Sequence, residues 1–125
     1  MHRFMMLLAI LLTTPTMGAA QSIDVWSTEA REIMPGFNGH FVHSERATLV
    51  YWDIDLDAIL PEHSHPHEQI INVLEGTFEL VMEGASHILG PGDVLVIPGD
   101  IPHSGRAHTD CKIIDVFSPV REDYR

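Results

Sequence analysis

The sequence predicts an all-β domain, because short strand-like segments recur between turn signals along most of the chain. Two of these segments alternate apolar and polar residues with period two, and the others are short, strand-like segments that contain apolar residues. The predicted strands lie at residues 48–56, 69–74, 77–82, 86–89, 94–97 and 112–117. Gly and Pro residues separate them, and no sustained helical periodicity occurs after residue 20. This spacing favours a β-sandwich or a β-barrel.

The first 20 residues have the layout of a secretory signal peptide. A basic start at His2 and Arg3 precedes an unbroken apolar run from Phe4 to Leu12, and small residues end at Ala20. We therefore expect cleavage after Ala20, a domain of residues 21–125, and a protein that is periplasmic or secreted. The apolar run is shorter than the roughly 20 residues of a membrane anchor, so no membrane association is expected after cleavage. The alternative is a buried N-terminal helix or strand.

Charge and cysteine content narrow the classes of partner. Removing residues 1–20 leaves six Lys and Arg against 18 Asp and Glu, a formal net charge of −12. Such an acidic surface argues against binding to nucleic acids or anionic membranes, and an anionic substrate would need a local positive centre. Cys111 is the single cysteine, so no intramolecular disulfide forms. We expect it to be a small buried residue on a strand, with an intersubunit disulfide as the alternative.

Residue types that bind metals cluster between positions 61 and 103. In an extended segment His63 and His65 project to the same face, and Gln69 has the same parity and precedes an apolar strand. A Gly- and Pro-rich bend after residue 92 then places His103 at the start of another strand. Three imidazoles and one amide oxygen are a suitable ligand set for one divalent ion. The alternative is a surface loop that is merely rich in histidine.

These two segments resemble the two motifs of the cupin family. Residues 63–76 match His-x-His, three residues, a carboxylate position, six residues and Gly. Residues 92–103 match Gly, five residues, Pro, four residues and His. The resemblance implies a double-stranded β-helix, or jelly-roll, barrel. It also implies one metal ion, held by His63, His65, Gln69 and His103.

Gln69 departs from the family pattern, which usually has Glu at this position. Glu68 is adjacent, and a one-residue bulge in the strand would exchange the two side chains. His67 has ligand parity as well, unless Pro66 redirects it. Because three imidazoles and one amide are all neutral, a bound ion keeps its double charge and is a strong Lewis acid. The ligand types suit Zn, Mn, Ni, Co or Fe without selecting among them, and open coordination positions favour catalysis.

The last predicted strand carries a second group of candidate site residues. Asp115 lies between apolar neighbours, so it faces either the barrel interior, as a proton-transfer group, or the solvent. Arg121 follows the strand, where it either holds a substrate carboxylate or is a solvated tail residue. Residues 115–121, together with the four predicted ligands, resemble the small cupins of pectin and alginate breakdown, which open the ring of unsaturated uronates. The resemblance assigns Asp115, Phe117 and Arg121 to the active site, with Asp115 moving the proton and Arg121 holding the carboxylate.

The expected function is therefore metal-dependent isomerisation of a small anionic substrate derived from a sugar, with ring-opening of an unsaturated uronate as the particular reaction. Two other classes stay open. One is a metal-dependent dioxygenase, and the other is a periplasmic protein that binds a small ligand or a metal without catalysis. Because cupin barrels often pair through apolar sheet faces, the resemblance also favours a homodimer.

Overall fold

A computed structural model describes residues 18–125, so the predicted signal peptide lies almost wholly outside the described residues. Within residues 18–125 the chain forms ten β-strands and two short 3-10 helices, Val25–Ser27 and Glu122–Tyr124. The strands are β1 (Arg31–Met34), β2 (Phe37–His43), β3 (Thr48–Ile54), β4 (Ile59–His63), β5 (Glu68–Glu75), β6 (Phe78–Met82), β7 (Ala85–Leu89), β8 (Val94–Ile97), β9 (His103–Ala107) and β10 (Cys111–Ser118). No helix in this part of the chain is long and apolar enough to cross a membrane.

The strands form two antiparallel sheets with a shared core. The larger sheet has the strand order β1-β2-β3-β10-β5-β8, and the smaller has the order β4-β9-β6-β7. Strand β10 pairs with both β3 and β5, which lie far from it along the chain. Burial alternates along β3 and β10, whose inward residues are 48, 50, 52 and 54 and 111, 113, 115 and 117. The predicted all-β jelly-roll barrel is confirmed.

The hydrophobic core fills the space between the sheets. It joins Trp52 and Ile113 of the larger sheet to Phe78 and Leu80 of the smaller one. Burying an apolar side chain of this size contributes roughly 2 kcal/mol, so the core holds the barrel together without a disulfide. Cys111 is one of the buried core residues on β10, as predicted.

Six strands match the predicted segments to within two residues at each end, and β9 begins at His103, where the start of another strand was predicted without its extent. Strands β1, β2 and β4 have no predicted counterpart. Strands β2 and β9 each contain a glycine that lies under an aromatic ring. A Cβ atom at Gly105 of β9 would lie 2.7 Å from the Phe78 ring, and one at Gly39 of β2 would lie 2.8 Å from the Trp52 ring. These segments are strands because neighbouring strands pair with them and rings cover them, which local sequence does not reveal.

Candidate metal centre and its cavity

Three histidine side chains converge on one point. His63, the last residue of β4, pairs directly with His103, the first residue of β9. His65 lies two residues beyond the end of β4, so only His63 of the pair is on a strand. The ring centroids are 4.4 Å apart for His63 and His103 and 5.1 Å apart for His65 and His103. One ring nitrogen from each histidine lies within 4.8 Å of the other two, a separation at which all three can bind one metal ion.

Main-chain hydrogen bonds determine which nitrogen of each ring is available. In every case Nδ1 lies within hydrogen-bond distance of a main-chain carbonyl oxygen, which can only accept. The pairs are His63 with Pro61 (2.8 Å), His65 with His67 (3.0 Å) and His103 with Ile101 (2.8 Å). Nδ1 therefore carries the proton and Nε2 keeps its lone pair, which is how metal-binding histidines are usually oriented.

Two of the three Nε2 atoms, those of His65 and His103, face no hydrogen-bond donor among residues 18–125. Nε2 of His103 is buried and has no hydrogen-bond partner among residues 18–125. Nε2 of His65 lies 3.2 Å from Oε1 of Gln69, so two lone pairs face each other. Burial, followed by the charge of Arg121, lowers the pKa of His65 to about 4, and this ring is neutral at pH 7. A cation placed between these atoms would satisfy them together, so the donor set fits a divalent metal ion.

Gln69 and Glu68 lie on opposite faces of β5. The Gln69 side chain is buried, and its amide nitrogen donates to Oδ1 of Asp115 at 3.0 Å, which turns the amide oxygen toward His65. Glu68 is exposed. Gln69 pairs in register with Phe117, and no bulge at this end of β5 exchanges the two side chains. The structure therefore brings Gln69, and not Glu68, to the converging histidines.

Asp115 lies inside the barrel rather than on the solvent face of the sheet. Its carboxylate accepts one hydrogen bond from Nε1 of Trp52 at 2.9 Å and one from Gln69 at 3.0 Å. Burial raises the pKa of Asp115 to about 6, although both hydrogen bonds and the charge of Arg121 oppose the shift. The carboxylate thus orients Gln69 and places a titratable group one side chain away from the converging nitrogens.

Arg121 is buried, which excludes the alternative of a solvated tail residue. Its guanidinium carbon lies 4.8 Å from the centroid of the Phe117 ring and 3.9 Å from that of Tyr124. Asp123 accepts two hydrogen bonds from it. One cavity joins these groups, and its lining includes His63, Gln69, Asp115, Phe117, Arg121 and Tyr124. The candidates from the first motif and from the C-terminal segment therefore meet in one place, while their individual roles stay predictions.

Sequence reasoning did not select Tyr124, which forms part of the cavity wall. Its ring packs against Phe41 and Phe117, with centroids 5.2 and 5.8 Å apart. The polar tail around it shows no periodic pattern, so no local signal indicates that Tyr124 is partly buried against the core. His67, the open candidate of the first motif, is half-buried and lies outside the converging group, although its carbonyl orients His65.

The chain is thus a small two-sheet barrel in which three histidines converge beside a buried carboxylate. Such a site is suited to binding a metal ion. The chain belongs to the cupin family, because the cupin domain family matches residues 50–117. Over 87 residues it is 36% identical to the pectin degradation protein KdgF of Dickeya dadantii. That match covers 61% of this chain and 79% of KdgF. Over 92 residues it is 35% identical to the dimethylsulfoniopropionate lyase DddQ of Ruegeria pomeroyi, which covers 73% of this chain and 45% of that protein.

A solved structure, that of KdgF from Halomonas sp., superposes on this chain with a TM-score of 0.80. The two sequences are 30% identical, and the match covers 86% of this chain and all of the other. The chain is therefore a small cupin that resembles KdgF proteins in sequence and in fold.

Proposed function

We propose that this protein is a divalent-metal-dependent cupin that opens the ring of a small unsaturated uronate, an anionic product of pectin breakdown. The observation that carries the proposal is the cavity, in which His63, Asp115 and Arg121 line one space. A metal ligand, a proton-transfer group and a carboxylate-binding group are what this reaction requires. The similarity to a pectin degradation protein supports the choice of substrate.

His63, His65, Gln69 and His103 would hold the metal ion, which when bound acts as a Lewis acid on oxygen atoms of the substrate. The ligands carry no charge, so the site would hold a full double positive charge inside a protein of formal net charge −11. That local charge is the positive centre that an anionic substrate needs.

Ring-opening moves a proton and needs neither an oxidant nor a reductant. The ring C–O bond of the hemiacetal breaks, the hemiacetal hydroxyl becomes an aldehyde, and the released enol becomes a ketone once its carbon gains a proton. Asp115 is the group to which we assign this proton transfer, since it is a carboxylate in the cavity wall. Arg121 binds the substrate carboxylate, and the rings of Phe117 and Tyr124 exclude water beside it.

The test is turnover of an unsaturated galacturonate by the metal-loaded protein, followed as loss of the ultraviolet absorbance of the conjugated double bond. We expect activity in the wild type and its loss in the His63→Ala/His103→Ala double variant and in Asp115→Asn. Asp53→Asn is the matched control, because it makes the same change at an exposed position of β3. Elemental analysis accompanies each assay. Wild-type protein that holds one metal ion per chain but turns over no uronate would contradict the proposed substrate.

The similarity to a dimethylsulfoniopropionate lyase favours a second candidate substrate, dimethylsulfoniopropionate, which also carries a carboxylate. The chain spans 45% of the length of that relative. The test of this second candidate is an assay of the same metal-loaded protein with dimethylsulfoniopropionate. Cleavage of this compound without uronate turnover would replace the first proposal.

Two other outcomes would indicate a different class of protein. Oxygen uptake on an enolic substrate would indicate a dioxygenase. Tight anion binding without turnover, unchanged in Asp115→Asn, would indicate a binding protein.

We further propose that the protein is exported, which the pattern of residues 1–20 supports. The test is expression of the full chain, cell fractionation and N-terminal sequencing of the product. We expect a chain that begins at Gln21 in the periplasm or the medium. Full-length protein confined to the cytoplasm would contradict export.

We also propose a homodimer that forms through the outer face of the larger sheet. On the edge strand β8 the residues Val94 and Val96 are 56% and 53% exposed, and Val96 pairs with Ile70 on the same face. An exposed apolar face of this kind is typical of an interface. Sedimentation equilibrium is the measurement, and a monomer at micromolar concentration would contradict the proposal.

A further inference from the structure

The Arg121 guanidinium is held along one edge by a residue two positions further on. Nε of Arg121 donates to Oδ1 of Asp123 at 3.2 Å, and Nη2 donates to Oδ2 at 2.6 Å. One carboxylate thus takes two of the five N–H groups in a side-on bidentate pair. Only 9% of the Arg121 side chain is exposed, whereas 56% of the Asp123 side chain is exposed. The pair therefore consists of an exposed carboxylate and a buried guanidinium.

The other edge of the guanidinium is left for a ligand. Nη1 of Arg121 has no hydrogen-bond partner among residues 18–125. With Nη2 it forms the second edge of the planar fork, which matches the two oxygens of a carboxylate. The group lies over the rings of Phe117 and Tyr124, which restrict the rotation of its plane. Arg121 lines the cavity, and this second edge is the one that Asp123 does not occupy.

The tail that carries Asp123 is itself anchored to the barrel. Arg31 of β1 donates to the main-chain carbonyl of Tyr124. The main-chain N–H of Arg121 donates to Oγ1 of Thr48 at 3.0 Å. Asp123 lies between these two anchor points, so its carboxylate meets the guanidinium in a constrained geometry, unlike a chance ion pair between two mobile surface side chains.

We propose that Asp123 is a positioning residue, which holds Arg121 by one edge so that the opposite edge binds the carboxylate of the substrate. The inference rests on the proposed function, because it takes Arg121 to be the carboxylate-binding group. It adds a specificity determinant outside the cavity lining. Since Asp123 already balances the charge of Arg121, Arg121 selects a ligand carboxylate by the orientation of its fork, while the proposed metal ion supplies the positive charge.

The experiment compares metal-loaded wild type, Asp123→Asn and Glu122→Gln in steady-state turnover of the unsaturated galacturonate. Glu122→Gln is the matched control, since it removes one negative charge from the adjacent residue, which pairs with Arg125. For Asp123→Asn we expect KM to rise about fivefold, the size of effect of a partly exposed ion pair. We expect kcat and the melting temperature to stay near the wild-type values, and Glu122→Gln to change none of the three.

Two further measurements do not depend on turnover. In ¹⁵N-labelled protein, the Arg121 Nε–H signal is expected to exchange slowly with water in the wild type and fast in Asp123→Asn. Calorimetric titration with galacturonate, a saturated uronate used as the probe, is expected to show weaker binding to Asp123→Asn alone.

The outcomes separate the two proposals. If the wild type binds galacturonate but turns over no unsaturated galacturonate, the ring-opening reaction is contradicted. The positioning role of Asp123 is then tested by the binding and Nε–H exchange measurements alone. Normal turnover with an unchanged KM in Asp123→Asn would overturn the positioning role alone. A lower KM in that variant would also overturn it, because Asp123 would then compete with the substrate. Absence of both binding and turnover in the wild type would overturn both proposals.

Discussion

Asp115→Asn is expected to weaken metal binding, although Asp115 is not one of the four predicted ligands. The Asp115 carboxylate accepts from Trp52 Nε1 at 2.9 Å and from Gln69 Nε2 at 3.0 Å. Asparagine has only one side-chain oxygen, so one of these two buried donors loses its acceptor. If the new amide keeps its oxygen toward Trp52, its nitrogen meets Gln69, and the Gln69 amide turns over. The Gln69 oxygen is then lost from the converging ligand set.

The size of the effect follows from these contacts. A buried donor left without an acceptor costs about 1–3 kcal/mol. Removal of a hydrogen bond that orients a metal ligand usually weakens binding about 10- to 100-fold, which is about 1.4–2.8 kcal/mol. We therefore expect the dissociation constant for Zn²⁺ to rise by one to two orders of magnitude, while the barrel stays folded because its apolar core is unchanged.

The assay is competition for Zn²⁺ with a chromophoric chelator at pH 7, with circular dichroism to confirm that each variant is folded. Asp53→Asn is the control, because Asp53 is exposed, pairs with Lys112 and does not line the cavity. Equal Zn²⁺ affinity in wild type and Asp115→Asn would refute the argument that Asp115 holds the Gln69 oxygen in place. Loss of affinity in Asp53→Asn as well would show that the effect is not specific to the cavity.

Three other results are expected. Removing the metal with a chelator should lower the melting temperature of the wild type but not of His103→Ala, because a ligand at 100 times its Kd stabilises a fold by about 2.7 kcal/mol. An equal response of both proteins would contradict the metal site. Gly76→Ala should destabilise the fold more than Gly84→Ala in urea titrations. Both glycines have positive φ, but a Cβ at Gly76 would lie 2.2 Å from the carbonyl oxygen of Asp110, whereas a Cβ at Gly84 would meet no atom within 4 Å. Equal losses of stability would show that the clash is relieved. Burial raises the pKa of the Cys111 thiol, so the protonated form prevails at neutral pH, and a thiol reagent should react slowly until the protein is unfolded; fast reaction of the native protein would contradict this.

Local sequence predicted those features that depend on spacing along the chain. The His-x-His pair, the later bend to His103 and the alternation in β3 and β6 are set by residues within a few positions of one another. Side-chain direction in an extended segment follows from parity alone, which is why Gln69 rather than Glu68 was placed inside the barrel. The family resemblance rests on the same spacings, and the match of the cupin domain to residues 50–117 confirms it.

The alternatives that the sequence left open were decided by contacts between distant segments. Whether Asp115 and Arg121 face the cavity depends on β10 lying between β3 and β5, and on a tail that packs back against the first strands. The sequence indicated that a strand begins at His103 but not how far β9 extends, because its Gly105 is covered by Phe78, a residue 27 positions away. Periodicity reports only neighbours on one element. By contrast, the contacts by which Asp115 orients Gln69 and Tyr124 packs against the cavity wall exist only once the sheets have closed.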